Sequence, residues 1–111
     1  MTKEHFFNGL TIIFIIFIIF FLNNANASSR IFYVDYTGGN DSSNGTSKLT
    51  AWQHAPGMNG ATGVPASIVL QHGDSVILKG CVTWPNSVFT WYLNQSGVAP
   101  NSIYYGVDKT W

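Results

Sequence analysis

Beyond residue 27 the groups able to do acid–base or ligand chemistry are Asp35, Asp41, Asp74 and Asp108, two imidazoles, His54 and His72, and one thiol, Cys81. Glycoside hydrolysis needs two carboxyl groups about 5–9.5 Å apart. These four acids are scattered, and each falls at a turn or a strand end, so no catalytic residue is assigned. Asp41 with Asn44 offers one carboxylate where Ca²⁺ wants six or more oxygens, and an Asx-turn is the preferred reading. His54 and His72 have no cysteine or second histidine at ligand spacing, so capping and turn roles are expected and no metal site is assigned. Cys81 has only Lys79 nearby to activate it and reads as a small buried hydrophobe beside Val82.

Large aromatics are the remaining chemical resource. Trp84, Trp91 and Tyr92, with Tyr104 and Tyr105, could stack on sugar rings, and the first three are the candidate substrate-binding residues. The competing reading, given more weight, turns part of this set inward as core. Asn40-Asp41-Ser42, Asn44-Gly45-Thr46 and Asn94-Gln95-Ser96 fit the glycosylation pattern, which matters only in a host that glycosylates on export.

Composition narrows the partners. Lys and Arg number 5 and Asp and Glu number 5, so the formal charge is zero. No basic stripe tracks a phosphate backbone, which argues against nucleic acid. The aromatic and β-branched content is too high for a disordered segment. The N-terminal stretch has a short basic head, Met1 to His5, and an unbroken apolar run, Leu10 to Leu22. It closes on Ala25-Asn26-Ala27. A signal peptide has this head, an apolar run of roughly 7–15 residues and an A-x-A end. Residues 1–27 are therefore expected to be a signal peptide cleaved after Ala27, and 28–111 the exported domain, in the cell envelope or outside it. A membrane is met only if that segment stays uncleaved, and it is short against the roughly 20 residues a span needs. A lone cysteine is unusual in a secreted protein, so no internal disulfide staples this small domain.

The elements that must position these groups follow from pattern. Arg30 to Tyr36 is rich in strand formers. Thr37 to Ser47 is a Gly/Asn/Asp/Ser loop. Ser47 or Thr50 can cap a short helix through Trp52 and His54, ended by Pro56-Gly57. Met58 to Ser67 reads as loop, and Ile68 to Leu70 as strand or turn. Gln71 to Asp74 is a tight turn. Ser75 to Lys79 alternates, with Val76 and Leu78 on one face and Ile77 on the other. A bulge at Gly80 would carry that strand on to Trp84. Ser87 to Leu93 and Ser102 to Val107 are the third and fourth strands. Such spacing suits a sandwich, a barrel or a solenoid.

The order Phe32 to Asp35, then Gly38 to Thr46, then Thr50-Ala51-Trp52, then Gly73 to Gly80 resembles the N-terminal opening of secreted right-handed parallel β-helix proteins of the pectate-lyase-like superfamily. Val82-Thr83-Trp84 falls where that family ends its first rung. The resemblance implies a mainly β fold, the N-terminal cap and first rungs of a right-handed parallel β-helix, incomplete in this chain. It implies a short capping helix at Thr50 to His54 and a first wall starting at Gly73-Asp74. It also implies a polysaccharide partner. The family's Ca²⁺ and its Arg or Lys base sit on middle rungs beyond this chain, so no cofactor is expected here, and a full-length relative would be a polysaccharide lyase or glycoside hydrolase. Pro56-Gly57 departs from the pattern by cutting the capping helix. About three rungs sit at the minimum for a solenoid. A non-catalytic surface or carbohydrate-binding β-solenoid is the alternative, and a small β-sandwich sharing local turn chemistry is the third reading.

Overall fold

A computed structural model describes residues 28–111. The expected signal segment and its cleavage at Ala27 lie outside them. Three short strands, β1 (Ile31–Val34), β2 (Ser75–Lys79) and β3 (Tyr104–Asp108), form one open sheet in chain order. Both pairings are parallel: Ile31 lies opposite Ser75, and Ser75 opposite Tyr104. Parallel neighbours need long crossovers. Here the first crossover carries a 3-10 turn, Lys48–Thr50, and a short helix α1, Gly63–Ser67; the second carries a 3-10 turn, Asn86–Phe89.

Strand side chains alternate between faces, and the register stacks apolar on apolar in the inward rows. Phe32, Val76 and Tyr105 form one inward row, and Val34, Leu78 and Val107 the next. The outward rows are Ile31, Ser75 and Tyr104, then Tyr33, Ile77 and Gly106, then Lys79 and Asp108. The crossovers bury the inward face, and only Lys48 of the first one reaches round to border the outward face. The core is Phe32, Val34, Trp52, Ala55, Met58, Leu70, Val76 and Val88.

Trp52 is the centre of that core. Its side chain is fully buried. Its rings stack on Phe32 with centroids 4.8 Å apart, and its indole N–H donates to the Ser43 carbonyl at 2.8 Å. Its backbone closes the free edge of β1: Trp52 N–H donates to Tyr33 O at 2.9 Å, and Asp35 N–H donates to Trp52 O at 2.8 Å. Tyr33 N–H donates to Gly45 O on the same edge, at 2.8 Å. Gly45 has φ +73, and a Cβ there would run into the Trp52 indole, so this position requires glycine.

Several expectations are corrected by this arrangement. The helix through Trp52 and His54 stops at Thr50. Ser47 does cap it, its hydroxyl accepting from Thr50 N–H at 3.2 Å. Trp52 then runs extended, because its amide and carbonyl are spent on β1 and are lost to a helix. The helix of this crossover is α1, inside the expected loop, with Pro65 in the first turn where a missing N–H does no harm. The strand expected at Ser87 to Leu93 is instead the 3-10 turn that buries Val88. Only Trp91 of that run keeps a strand-like contact, an antiparallel bridge to Met58. Ile68 to Leu70 takes no regular structure and serves by burying Leu70. β2 ends at Lys79 rather than running to Trp84. Gly80 lies against the backbone of Asp108, with its N–H donating to Asp108 O at 2.9 Å, and the chain turns out at Cys81. One sheet forms among the described residues, so the sandwich reading does not describe them. No helix among the described residues is long and apolar enough to cross a membrane.

Candidate functional site

Three of the four carboxylates hold the fold. Asp74, fully buried, accepts from Gln71 N–H at 2.8 Å and Arg30 N–H at 3.1 Å and pairs with the Arg30 guanidinium at 2.5 Å. Asp35 closes the turn after β1, accepting from Thr37 N–H, Thr37 Oγ1 and Gly38 N–H, and its other oxygen meets Lys79 Nζ at 2.8 Å. Asp41 gathers donors from two distant segments. Gln53 and His54 amides reach one oxygen, both at 2.9 Å; His54 Nδ1 at 2.7 Å and the Thr62 amide and hydroxyl reach the other. Burial pushes all three carboxyls up, and the hydrogen bonds and cationic neighbours outweigh it, leaving each below the ordinary carboxylate range.

The Asx-turn expected at Asp41 is therefore corrected. The local turns belong to Asn40, which accepts from Ser42 N–H at 2.8 Å, and Asn44, which accepts from Thr46 N–H at 3.0 Å. Asp41 reaches 12 to 21 residues along the chain instead. His54 is held between that carboxylate and the Tyr36 ring, and His72 accepts from Val98 N–H at 3.1 Å. Among the described residues no three His, Cys, Asp or Glu side chains gather where a metal could be held. Cys81 is exposed rather than buried; it takes a φ of +55 after Gly80, and its thiol lies 3.7 Å from Lys109 O.

The structure brings Trp84 and Trp91 together and leaves Tyr92 apart. The two tryptophans line an apolar concavity of about 160 Å³ with Met58, Leu78, Phe89 and Val107, at the β3 end of the core. Both indole N–H groups are committed to backbone, Trp84 to Lys79 O at 3.3 Å and Trp91 to Pro56 O at 2.9 Å. Tyr92 is exposed, its amide donating to Gly57 O at 3.0 Å.

A larger concavity, about 420 Å³, lies on the outward face of the sheet. Ile31, Ser75 and Ile77 floor it, Tyr33 and Tyr104 flank it, Lys48 and Asp108 form its polar rim, and Val107, at the edge strand, borders this concavity as well as the smaller one. Lys48 Nζ donates to Asp108 at 2.7 Å. That bond, with those from Thr110, lowers the Asp108 carboxyl to about 2. Trp111 stands over this end with its edge toward Tyr33, and the Lys48 and Lys79 ammonium groups each lie 5.4 Å from its ring. Sequence reasoning named Tyr104 among the aromatics able to stack on sugar and Asp108 among the scattered acids, but did not bring them together or add Lys48, Tyr33 and Trp111 to them. A signal was present: Val34-Asp35-Tyr36-Thr37 and Val107-Asp108-Lys109-Thr110 share one pattern. In both, the aspartate accepts from the threonine amide and hydroxyl two residues on.

The described chain is thus a mainly β unit organised by a small open parallel sheet, with one face filled by irregular crossovers. Among solved structures it is similar to the GH136 lacto-N-biosidase from Eubacterium ramulus, with a TM-score of 0.51 and 21% identity over 71% of this chain and 11% of that one. The chain spans about a tenth of that protein's length, and the likeness is one of fold. No family model matches the chain, and no curated protein matches it.

Proposed function

We propose that this chain is the leading segment of an exported, polysaccharide-active β-helix protein of the pectate-lyase-like kind, whose reacting groups belong to rungs outside it. The observation that carries this reading is the stacking of β1, β2 and β3 in parallel and in chain order. In a solenoid each repeat touches only its neighbours and buries its inner face against them. The two inward rows have that form, and the edge of β1 is closed by Gly45 and Trp52 as a first rung requires. The likeness to a carbohydrate-active enzyme agrees with a saccharide partner. Within the described residues the chain is a binding rather than a turnover element, because Asp35, Asp41 and Asp74 are all engaged in holding loops. The test is to express the whole chain in an exporting host and run the secreted product through gels containing neutral polysaccharides or polyuronates. Retarded migration without release of reducing ends is expected. Unretarded migration of a folded product in every gel overturns the reading.

A further inference from the structure

We propose that the outward concavity of the β1–β2–β3 sheet is a binding site for a neutral pyranose sugar. This rests on the saccharide reading above and gives it a place and a chemistry. The first ground is a platform. The Tyr104 ring lies over Gly106, where a Cβ would come within 2.5 Å of Cε1 and Oη, so the ring is laid down along the sheet rather than standing off it. Its side is open, Tyr104 being 59% exposed, and Ile77 and Tyr33 continue the surface in register. A pyranose presents a C–H face that packs on such a surface, and an aromatic supplies apolar area at little entropic cost.

The second ground is the rim. A sugar hydroxyl both donates and accepts. Lys48 and Asp108 set donor and acceptor 2.7 Å apart at the edge of the platform. Asp108 Oδ1 is filled by Thr110, while Oδ2, among the described residues, receives only Lys48 and keeps a lone pair; the ammonium keeps further N–H groups. Adjacent hydroxyls of a pyranose match that pair. Charge decides between sugar classes. Lys48 is balanced by Asp108 and Lys79 by Asp35, so among the described residues that line the concavity no net positive charge is left to draw a uronate carboxylate. The space, about 420 Å³, is within the usual range of small-ligand sites.

The test is calorimetric titration of the full chain with neutral oligosaccharides and with oligouronates, with circular dichroism confirming the fold of each variant. Neutral sugars are expected to saturate and uronates to bind more weakly. Tyr104→Ala, Gly106→Ala (which lifts the Tyr104 ring without touching the core) and Asp108→Asn are each expected to weaken binding about tenfold, as loss of a stacked ring or a charge-assisted bond does. Val69→Ser, exposed and outside the concavity, is expected to bind as wild type. Undiminished binding in all three variants overturns the placement and leaves the saccharide reading standing. Tighter binding of uronates overturns the sugar class. No saturation by any saccharide in a folded chain, or a face filled instead by a second copy, overturns the site and the saccharide reading with it.

Discussion

At the scale of single residues, the aspartates separate into those that hold loops and one that faces solvent. Asp41 is the most connected. Removing its charge leaves the partly buried amide bonds of Gln53, His54 and Thr62 facing a weaker acceptor. Hydrogen bonds to charged groups contribute about 1.5–3 kcal/mol each. Asp41→Asn is accordingly expected to lose about 2 kcal/mol of stability in urea unfolding. Acid should act on the same groups. Asp35, Asp41 and Asp74 are lowered in the folded state, so their contribution is complete above the ordinary carboxylate range near 4 and is lost as pH falls through their lower folded values. Urea midpoints should be flat above about pH 5 and fall steadily below it. Asp108 differs. Its carboxyl should titrate near 2 by NMR, and Lys48→Met should move that midpoint upward, because the ammonium is the largest cause of the lowering. Little of this division was legible in sequence. Asp74 was placed by its Gly-Asp turn. Asp41 was not, because its donors come from His54 and Thr62, 13 and 21 residues away, and spacing carries no sign of such a contact.

At the scale of elements, what was legible is what local chemistry alone decides. The alternating run Ser75 to Lys79 was read at the bounds β2 takes, because a tight turn precedes it and the fold has no reason to override it; the extension past Gly80 to Trp84 does not form. β1 was read long by a few residues, its end set by Asp35 turning the chain toward Thr37 and Gly38. The errors fall where packing overrode propensity. Ser87 to Leu93 is full of strand formers, yet Val88 alone is buried, with Trp91 packed partly against the core, and the segment coils to deliver them. The capping helix failed for a similar reason: the backbone of Trp52 serves the edge of β1. That edge gives a direct test. Gly45→Ala would force a left-handed conformation on an L-residue and push a methyl into the Trp52 indole. It should cost about 2–3 kcal/mol, more than Gly→Ala at an ordinary loop position. Trp52→Ala should cost about 3–5 kcal/mol, and the marginal stability of a domain this size leaves little above that. Tryptophan fluorescence and circular dichroism, followed together in urea, measure both.

At the scale of the whole molecule, the two ends of the sheet are treated differently, and that difference has a consequence in solution. The edge of β1 is paired along its length by Gly45 and Trp52. No described strand pairs the far side of β3. Beside it lie Val107 and Phe89, both exposed, at the mouth of the apolar concavity lined by Trp84 and Trp91. An unpaired edge with apolar side chains next to it is a template for another strand. Within a longer solenoid that strand would be the next rung; in this chain alone it would be another copy. Sedimentation velocity of the isolated chain should therefore show mass rising with concentration. Val107→Lys places a charge at the concavity and beside the edge, in the manner by which natural sheets protect exposed strands. Because Val107 is already more than half exposed, this change should leave the melt of the folded unit nearly unmoved while returning the chain to monomer. The contrast is informative because it separates two causes of self-association. If poor folding drove it, a surface lysine would not relieve it, and the variant would associate as the wild type does. If the open edge drives it, association is lost with stability retained, and β3 is the edge on which a further strand pairs.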